Sequence, residues 1–398
     1  MADPAHGARI GIDVRNLDYD YSVTRGIGHY TRYHIDALAR AEPSCELVCL
    51  GEEDPAEPLR PLLELPNVSY RAIDDYLPGE LDLLHIPDPM HVTVGFDSPF
   101  RIFREKRTTI TFHDLIPLRL YWSEWQERVR RVYLRRLDEV RESDSILLTN
   151  SEFTRRDVLD ILGIEPSRVV SVGAGLNLSE TRAFTPDDVT EVLCKYGLDG
   201  SFFLHVGALD PHKNFELALE AFRRCNRRMI CRLVVVGQMD HHLKAQAVAC
   251  KKRGLNDVVF TGYLSRQELE ILYREATALL FLSRYEGFGL PVLEAMAQGC
   301  PVIASNAASI PEVAGDAALL FDPAAVFHIA EGMVKLLTDP GKREELVRKG
   351  RERAKVFSWD KTARKTLDVW NGLLARPGKR IPSQHRFPHV RNHQVQEN

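Results

Sequence analysis

Short runs of apolar, β-branched residues alternate with amphipathic helical stretches along most of this chain. Six runs lie in the first half: RIGIDV, CELVCLG, LDLLHIP, TTITFHD, SILLTNS and RVVSVG. Six more lie in the second half: FFLHVGA, CRLVVVG, VVFTG, ALLFLS, PVIAS and ALLFD. Unbroken apolar strands separated by helices indicate parallel sheets that are covered on both faces. Two series of six strands predict an α/β protein with two Rossmann-like, doubly wound domains rather than one very wide sheet.

The polar, strand-free stretch 175–186 separates the two series of strands. The pattern after residue 339 is purely helical, and Ser358 is suited to be the N-cap of a last helix. We therefore expect an N-terminal domain, a C-terminal domain, a final helix and an aperiodic, frayed tail, at 1–182, 183–357, 358–376 and 377–398.

Composition and charge narrow the class of protein. The chain has 398 residues, of which 44% are hydrophobic and 27% charged, as in folded multi-domain proteins. A net charge of −4 argues against nucleic-acid binding driven by overall charge. Seven scattered cysteines without a Cys-x-x-Cys pair favour reduced thiols over disulfides or a zinc site. With no signal-like start and no run of about 18 apolar residues, we expect a cytoplasmic protein.

The stretch SRYEGFGLPVLEAMA follows one of the apolar strands, at the sheet edge where open α/β sheets bind ligands. Gly287 and Gly289 allow a ligand to approach the backbone, and the start of the following helix favours a phosphate. Two carboxylates near such a site make sense as acceptors for sugar hydroxyls. Glu286 then suits a transferred sugar and Glu294 a nucleotide ribose. The alternative is that each is an ordinary solvent-facing charge.

A second stretch, HVGALDPHKN, ends another strand and places Lys213 at the start of a helix. A lysine there can neutralise a diphosphate leaving group as a metal ion would. A solvated surface lysine is the alternative. For His212, a phosphate contact and an exposed position are equally compatible with the sequence.

The first half contributes weaker candidates. TRGIGHYT places Gly26 and Gly28 just before a helix expected to begin near His29, which can bring backbone N–H groups to phosphates or can be a simple turn. TTITFHDLIP puts His113 at a strand end, and an active-site role is favoured over a structural one. His85 is interpreted as a structural residue, and Ser151 as the N-cap of the helix that follows it.

No strand ends in the acidic pair that metal-dependent sugar transfer requires. The one Asp-x-Asp, Asp18 to Asp20, lies in a polar loop. We therefore predict no metal site and no cofactor.

Taken together, the Glu-x7-Glu in EGFGLPVLEAMA, with GALDPHKN, GIGHYT, FHDLIP and SIPEVAGDAALLFDP, resembles the retaining GT-B glycosyltransferases of family 4. The resemblance runs from about Ile10 to Leu374. FHDLIP and PEVAGDAALLFDP look most like bacterial mannosyltransferases that build O-antigens and other surface polysaccharides. The resemblance implies two domains that face a cleft, with the donor bound mainly by the second domain and the acceptor mainly by the first. It also implies that the last helices cross back to the first domain.

The resemblance also implies roles for matching positions. Three residues would be catalytic. Glu286 would contact the donor sugar, Lys213 the diphosphate, and His113 the sugar and the acceptor. The donor would be bound through Glu294, Gly26, Gly28, Gly287, Phe288, Gly289, Leu290, Gly207, His212, Tyr263 and Leu264, the last two near the base. Many members have arginine at the position of Ala208 and asparagine at that of Ala174.

The predicted activity is transfer of a hexose, mannose from GDP-mannose, to a glycan or polyprenyl-linked acceptor, with anomeric retention by a front-face route. Three alternatives stay open: a UDP-sugar-dependent enzyme of this fold, a nucleotide-sugar epimerase or hydrolase, and a non-catalytic binding subunit. The arginine- and aromatic-rich helix expected at 123–142 suggests peripheral contact with the inner face of the cytoplasmic membrane. A surface helix packed on the domain core explains the same pattern.

Overall fold

A computed structural model describes residues 5–18, 26–52, 54–90, 98–103, 105, 107–121, 126–176 and 183–375. It contains two fully parallel sheets with strand orders β3-β2-β1-β4-β5-β6-β7 and β10-β9-β8-β11-β12-β13. The expected class, two doubly wound α/β domains, is confirmed. In both sheets the order reverses beside the first strand of the domain, and at this switch point helices cover opposite faces and leave a crevice.

The first sheet has seven strands, one more than the six apolar runs found in the first half of the sequence. The missed strand, β3, is VSYRA, and all but its first residue are half-exposed. Because it lies at the sheet edge beside β2, it lacks the unbroken apolar run by which buried parallel strands are recognised. The strands are Arg9–Asp13, Glu46–Gly51, Val68–Ala72, Leu83–Ile86, Thr108–Phe112, Ile146–Thr149 and Val169–Ser171.

The second sheet has the six expected strands. In chain order, β8 to β13 span Phe202–Val206, Arg232–Val236, Val258–Gly262, Ala278–Phe281, Val302–Ser305 and Leu319–Phe321. The middle strands are buried throughout, because helices cover both faces of the sheet.

Thirteen α-helices lie in the described parts of the chain. In order, α1 to α13 span Gly26–Ala41, Pro99–Ile102, Glu127–Glu142, Glu152–Leu162, Pro186–Lys195, Phe215–Asn226, His241–Lys252, Arg266–Glu275, Leu290–Gln298, Ile310–Ala314, Val326–Thr338, Pro340–Ala354 and Trp359–Leu374. Side-chain caps fix several starts: Thr185 and Ser265 each form a capping box, and Ser358 caps α13 as predicted. None of the helices of the described residues is long and apolar enough to cross a membrane.

Helix α13 crosses back onto the N-terminal domain, as the resemblance implied. The buried Trp370 donates from Nε1 to Thr109 Oγ1 over 3.0 Å, and His34 Nε2 lies 2.9 Å from Thr366 Oγ1. Gly175 makes room for this crossing, because a Cβ there would lie 2.2 Å from the backbone nitrogen of Trp359. The glycine therefore has a packing reason that the comparison with Asn-Gly in other members did not suggest.

The predicted boundary between the domains lies after residue 182. Because residues 177–182 are outside the described residues, this boundary stays a prediction. The aperiodic tail 377–398 and Asp20 lie outside them as well. Asp18 is described and its carboxylate accepts a hydrogen bond from the Glu52 N–H at 3.2 Å, which is loop chemistry as expected.

Candidate active site

Glu286 and Lys213 meet at the carboxyl edge of the second sheet. Glu286 follows β11 and Lys213 follows β8, and these strands are neighbours in the sheet. Lys213 Nζ lies 2.6 Å from Glu286 Oε1, and the two side chains are only 19% and 10% exposed. Lys213 Nζ also lies 5.6 Å from the centre of the Phe281 ring. The two candidates chosen from separate motifs thus form one buried ion pair.

The ion pair keeps Glu286 charged. Burial by itself would raise the pKa of this carboxyl group, but the charges of Lys213 and His212, with hydrogen bonds from Lys213 and Ser283, outweigh it. The pKa of Glu286 therefore lies below its ordinary value. An ionised carboxylate only accepts hydrogen bonds, as binding of sugar hydroxyls requires.

Gly287 is the point where the two domains come closest at the site. A Cβ on this residue would lie 1.8 Å from the His113 carbonyl oxygen of the first domain and 3.1 Å from Asp114 Cβ. No side chain fits there. The glycine serves close backbone contact across the cleft, in addition to any approach by a ligand.

Gly289 is the N-cap of α9 and has a φ of 105°, a conformation that side chains disfavour. No side chain caps the first turn of this helix, so the positive end of its dipole is not neutralised by a cap. Within the turn the Val292 N–H donates to the Gly289 carbonyl over 3.0 Å, and Pro291 has no N–H. Together with Lys213, this arrangement suits a phosphate group.

Glu294 lies one turn inside α9 and is half-buried. Tyr273 donates from its hydroxyl to Glu294 Oε2 over 3.2 Å. Burial raises the pKa of Glu294, the Tyr273 hydrogen bond and Arg266 oppose the shift, and Glu270 adds to it. The Glu294 carboxylate is therefore held in place by a hydrogen bond, and the alternative of an ordinary solvent-facing charge is wrong.

His113 forms the first-domain wall of the site. Its Nε2 lies 2.9 Å from the Pro87 carbonyl oxygen, and its ring packs edge-on against Tyr30 with 4.9 Å between centroids. Since a carbonyl only accepts, Nε2 carries a proton, and burial lowers the pKa of the ring so that it is neutral. Burial also raises the pKa of the neighbouring Asp114 to about 6, with the Glu286 charge adding to the shift.

His212 is buried and bound across the cleft, so of the two interpretations left open by the sequence, the exposed position is wrong. The Tyr121 hydroxyl accepts from the His212 backbone N–H at 2.6 Å and lies 2.8 Å from its Nδ1. The Arg284 N–H donates to the His212 carbonyl over 2.8 Å. This histidine links both domains beside Lys213.

The other donor-binding candidates from the sequence differ in their burial and in which of their atoms can reach a ligand. Gly26 begins α1, three residues earlier than expected, and Gly28 is buried in its first turn. Gly207 has a φ of 126° with open space where a side chain would be. Tyr263 is 67% exposed just after β10. Phe288, Leu264 and Leu290 point into or against the core, so only their backbone can face a ligand.

His85 is not part of the site. It is buried, its Nδ1 lies 2.9 Å from Thr109 Oγ1, and its ring packs against His34 and Trp370. Its structural interpretation is confirmed, as is the N-cap at Ser151, which accepts from the Thr154 N–H. In the part of the chain that the structure describes, no three His, Cys, Asp or Glu side chains are grouped so as to hold a metal ion.

Several residues at the site escaped the sequence analysis: Tyr121, Asp157, Tyr285, Ser309 and Glu312. Each contacts a residue far away along the chain, as Tyr285 does with Asp157 of α4. Tyr285 stands next to Glu286 in the sequence, and Glu312 lies in the SIPEV stretch that supported the resemblance. For these two residues, proximity to a recognised motif was the available sequence signal.

Comparison with known proteins agrees with this geometry. Residues 196–353 match the family described as glycosyl transferases group 1. O-antigen chain mannosyltransferase B of Escherichia coli is 32% identical over 287 residues, which cover 70% of this chain and 73% of that protein. The serotype-specific mannosyltransferase WbdA of Escherichia coli is 29% identical over 67% of this chain, but only 34% of its own length is covered.

Among solved structures, Anabaena HepE in complex with UDP and glucose superposes with a TM-score of 0.71 at 15% identity, over 92% of this chain and 100% of that one. At that identity the likeness concerns the fold. With the sequence relatives, it shows that the chain belongs to the group 1 glycosyltransferases of GT-B fold. The protein is a glycosyltransferase.

Proposed function

We propose that this glycosyltransferase moves mannose from GDP-mannose to a glycan or polyprenyl-linked glycan, with retention at the anomeric carbon. The observation that carries the proposal is the buried pair of Glu286 and Lys213 beside the uncapped start of α9, opposite His113. The choice of mannose is supported by the Escherichia coli relatives, both of which are named as mannosyltransferases.

The donor diphosphate is placed between Lys213 and the α9 start, where positive charge and backbone N–H groups stabilise the charge that develops on the leaving group. Lys213 then exchanges part of its contact with Glu286 for phosphate oxygens. The freed carboxylate oxygen of Glu286 accepts hydrogen bonds from the sugar. Glu294 accepts from the ribose, held for this by Tyr273.

The arginine missing at Ala208 has a candidate replacement in Arg284. Its guanidinium donates from Nη2 to the Pro211 carbonyl over 2.9 Å, two residues before Lys213, and its side chain reaches solvent. This position provides a second positive charge near the diphosphate. His212 is a weaker substitute, because Tyr121 already occupies its Nδ1.

The acceptor is placed on the first-domain side of the cleft, near His113 and Asp114. Retention by a front-face route needs no enzyme nucleophile, since the departing diphosphate oxygen takes the proton of the attacking hydroxyl. In this route the protein contributes positioning and charge stabilisation, which are the terms that a buried, preformed site supplies.

A panel of sugar nucleotides tests the proposal. Purified protein is incubated with GDP-mannose, GDP-fucose, UDP-glucose or UDP-GlcNAc and with mannose-terminated glycan acceptors, and nucleoside diphosphate release and product linkage are measured. GDP-mannose should be used best, and GDP should inhibit more strongly than UDP. Hydrogen-bond recognition can reject an analogue by about 10⁴-fold.

Each other result has a meaning. A UDP-sugar as best donor would overturn the donor assignment and leave the glycosyltransferase assignment intact. Consumption of donor without acceptor, at the rate seen with acceptor, would indicate an epimerase or hydrolase. Nucleotide-sugar binding without turnover over the whole panel would indicate a binding subunit.

A further inference from the structure

Helix α4 of the first domain is capped by a carboxylate of the second domain. Ser151 satisfies the Thr154 N–H at 2.9 Å, as an N-cap does. The N–H groups of Glu152 and Phe153 donate to Glu312 Oε1 and Oε2 over 2.9 and 3.0 Å. A negative charge at the start of a helix is stabilising, so Glu312 ties α10 to α4 by charge and by two hydrogen bonds.

The same helix holds the loop around Glu286 on both sides. Ser151 Oγ and Thr154 Oγ1 donate to the Gly287 carbonyl over 2.7 and 3.1 Å. Tyr285, on the other side of Glu286, donates from its hydroxyl to Asp157 and packs its ring against Phe153. The residues before and after Glu286 are thus fixed to the opposite domain.

The segment that carries Glu312 also supports this loop from within its own domain. Ser309 Oγ lies 2.8 Å from the carbonyl oxygens of both Glu286 and Phe288. The loop is therefore held between α10 on one side and α4 on the other. Glu312 connects the two supports directly.

We propose that Glu312 is a positioning residue for sugar transfer: by capping α4 across the domain interface, it holds the loop 285–287 and with it the Glu286 carboxylate in the geometry used for reaction. The inference rests on the proposed function for the role of Glu286. It assigns to Glu312 no contact with substrate. Removal of the Glu312 carboxylate should loosen the contact between α10 and α4. The nucleotide-binding groups of the second domain should stay in place.

The test compares Glu312→Ala and Glu312→Gln with wild type and with Glu352→Ala, an exposed glutamate of α12 that pairs with Lys355. We expect kcat to fall about tenfold to a hundredfold in the Glu312 variants, as misplacement of a reacting group by about 1 Å does. The Kd of GDP, measured by calorimetry, should change by less than about threefold, because free GDP makes none of these interdomain contacts. The control should match wild type in both.

A double-mutant cycle separates positioning from general stability. Tyr285→Phe removes the hydroxyl bound to Asp157, and if both residues hold the same loop, the double variant should lose less kcat than the product of the single losses. Additive losses, or a kcat of Glu312→Gln equal to wild type, would overturn the inference. If Glu312→Ala melts markedly lower, the cycle is run with Glu312→Gln and the same criteria apply.

The outcome is distinguishable from failure of the proposed function. All variants are assayed with whichever sugar nucleotide the wild-type protein uses best, so a wrong donor assignment does not affect them. Loss of activity in Glu286→Ala with full activity in both Glu312 variants rejects the positioning role alone.

Discussion

Charge at single residues decides the chemistry of this site. Lys213 and Glu286 come from different strand ends and pair at 2.6 Å in a largely buried position. Replacing either residue by alanine should lower kcat at least about tenfold to a hundredfold, since a hydrogen bond to a charged group contributes about 1.5–3 kcal/mol. Turnover is measured as nucleoside diphosphate release, with circular dichroism as the fold control. Near wild-type rates in either variant would contradict the assigned roles.

Glu294 belongs to a different kind of contact. A ribose contact is made equally in ground and transition states, so Glu294→Ala should raise the donor KM about tenfold and change kcat little. Tyr273→Phe, which removes the hydroxyl that holds Glu294, should show the same pattern more weakly. A loss confined to kcat would place Glu294 at the reacting sugar instead.

In the proposed function, Lys213 and the α9 start take the place of a metal ion as the positive charge at the diphosphate. We therefore expect activity to persist in excess EDTA, measured at saturating donor. Complete loss in EDTA with recovery on adding Mg²⁺ or Mn²⁺ would refute this interpretation of the phosphate site.

At the scale of elements, the structure changes the picture of the arginine-rich helix. It begins at Glu127 in the described residues, and Trp122 and Trp125 lie outside them. Tyr133 is buried, so the apolar stripe packs on the domain core as the alternative held. Arg128, Arg131 and Arg135 remain exposed, and Arg131 is paired with the exposed Glu127 at 3.7 Å.

We expect any membrane contact of the described part of this helix to depend on its exposed arginines. We expect Arg131→Glu with Arg135→Glu to reduce sedimentation with phosphatidylserine-containing vesicles, since each basic residue near such a surface contributes about 1 kcal/mol. Arg348→Glu on α12 with Lys355→Glu at the C-cap of that helix is the matched control. Equal sedimentation of both double variants and wild type would remove the membrane role.

At the scale of the whole molecule, the return of α13 onto the first domain buries histidines. Burial lowers the pKa of His34 to about 3, and the nearby His113 adds to the shift; burial lowers the pKa of His85 and His113 too. These rings stay neutral in the folded state, whereas the unfolded chain takes up protons below about pH 6.5. Stability is therefore complete above that pH and is lost as the pH falls from about 6.5 toward 3.

For His34 alone, the loss at pH 5 should be about 2 kcal/mol. Urea unfolding at pH 7.5 and pH 5 measures it, with His34→Gln compared with His328→Gln, an exposed histidine of α11. The His34 variant should lose less stability between the two pH values than the control does. Identical losses would mean that other groups dominate the pH dependence.

Local patterns in the sequence predict the class of fold, twelve of the thirteen strands in the described residues, and the sheet edge that carries the site. These follow from local patterns: apolar runs identify buried parallel strands, and the residues after them must lie at the carboxyl edge. The edge strand β3 escaped because a half-exposed strand has no such run.

Which of those strand-end residues meet depends on tertiary packing. Lys213 and Glu286 are 73 residues apart, and Gly287 contacts Ser151 across 136 residues. Such contacts depend on how two domains pack, which no pattern within a few turns of chain encodes. The reason for Gly287, the burial of His212 and the cap that Glu312 places on α4 therefore became visible only when both domains were present.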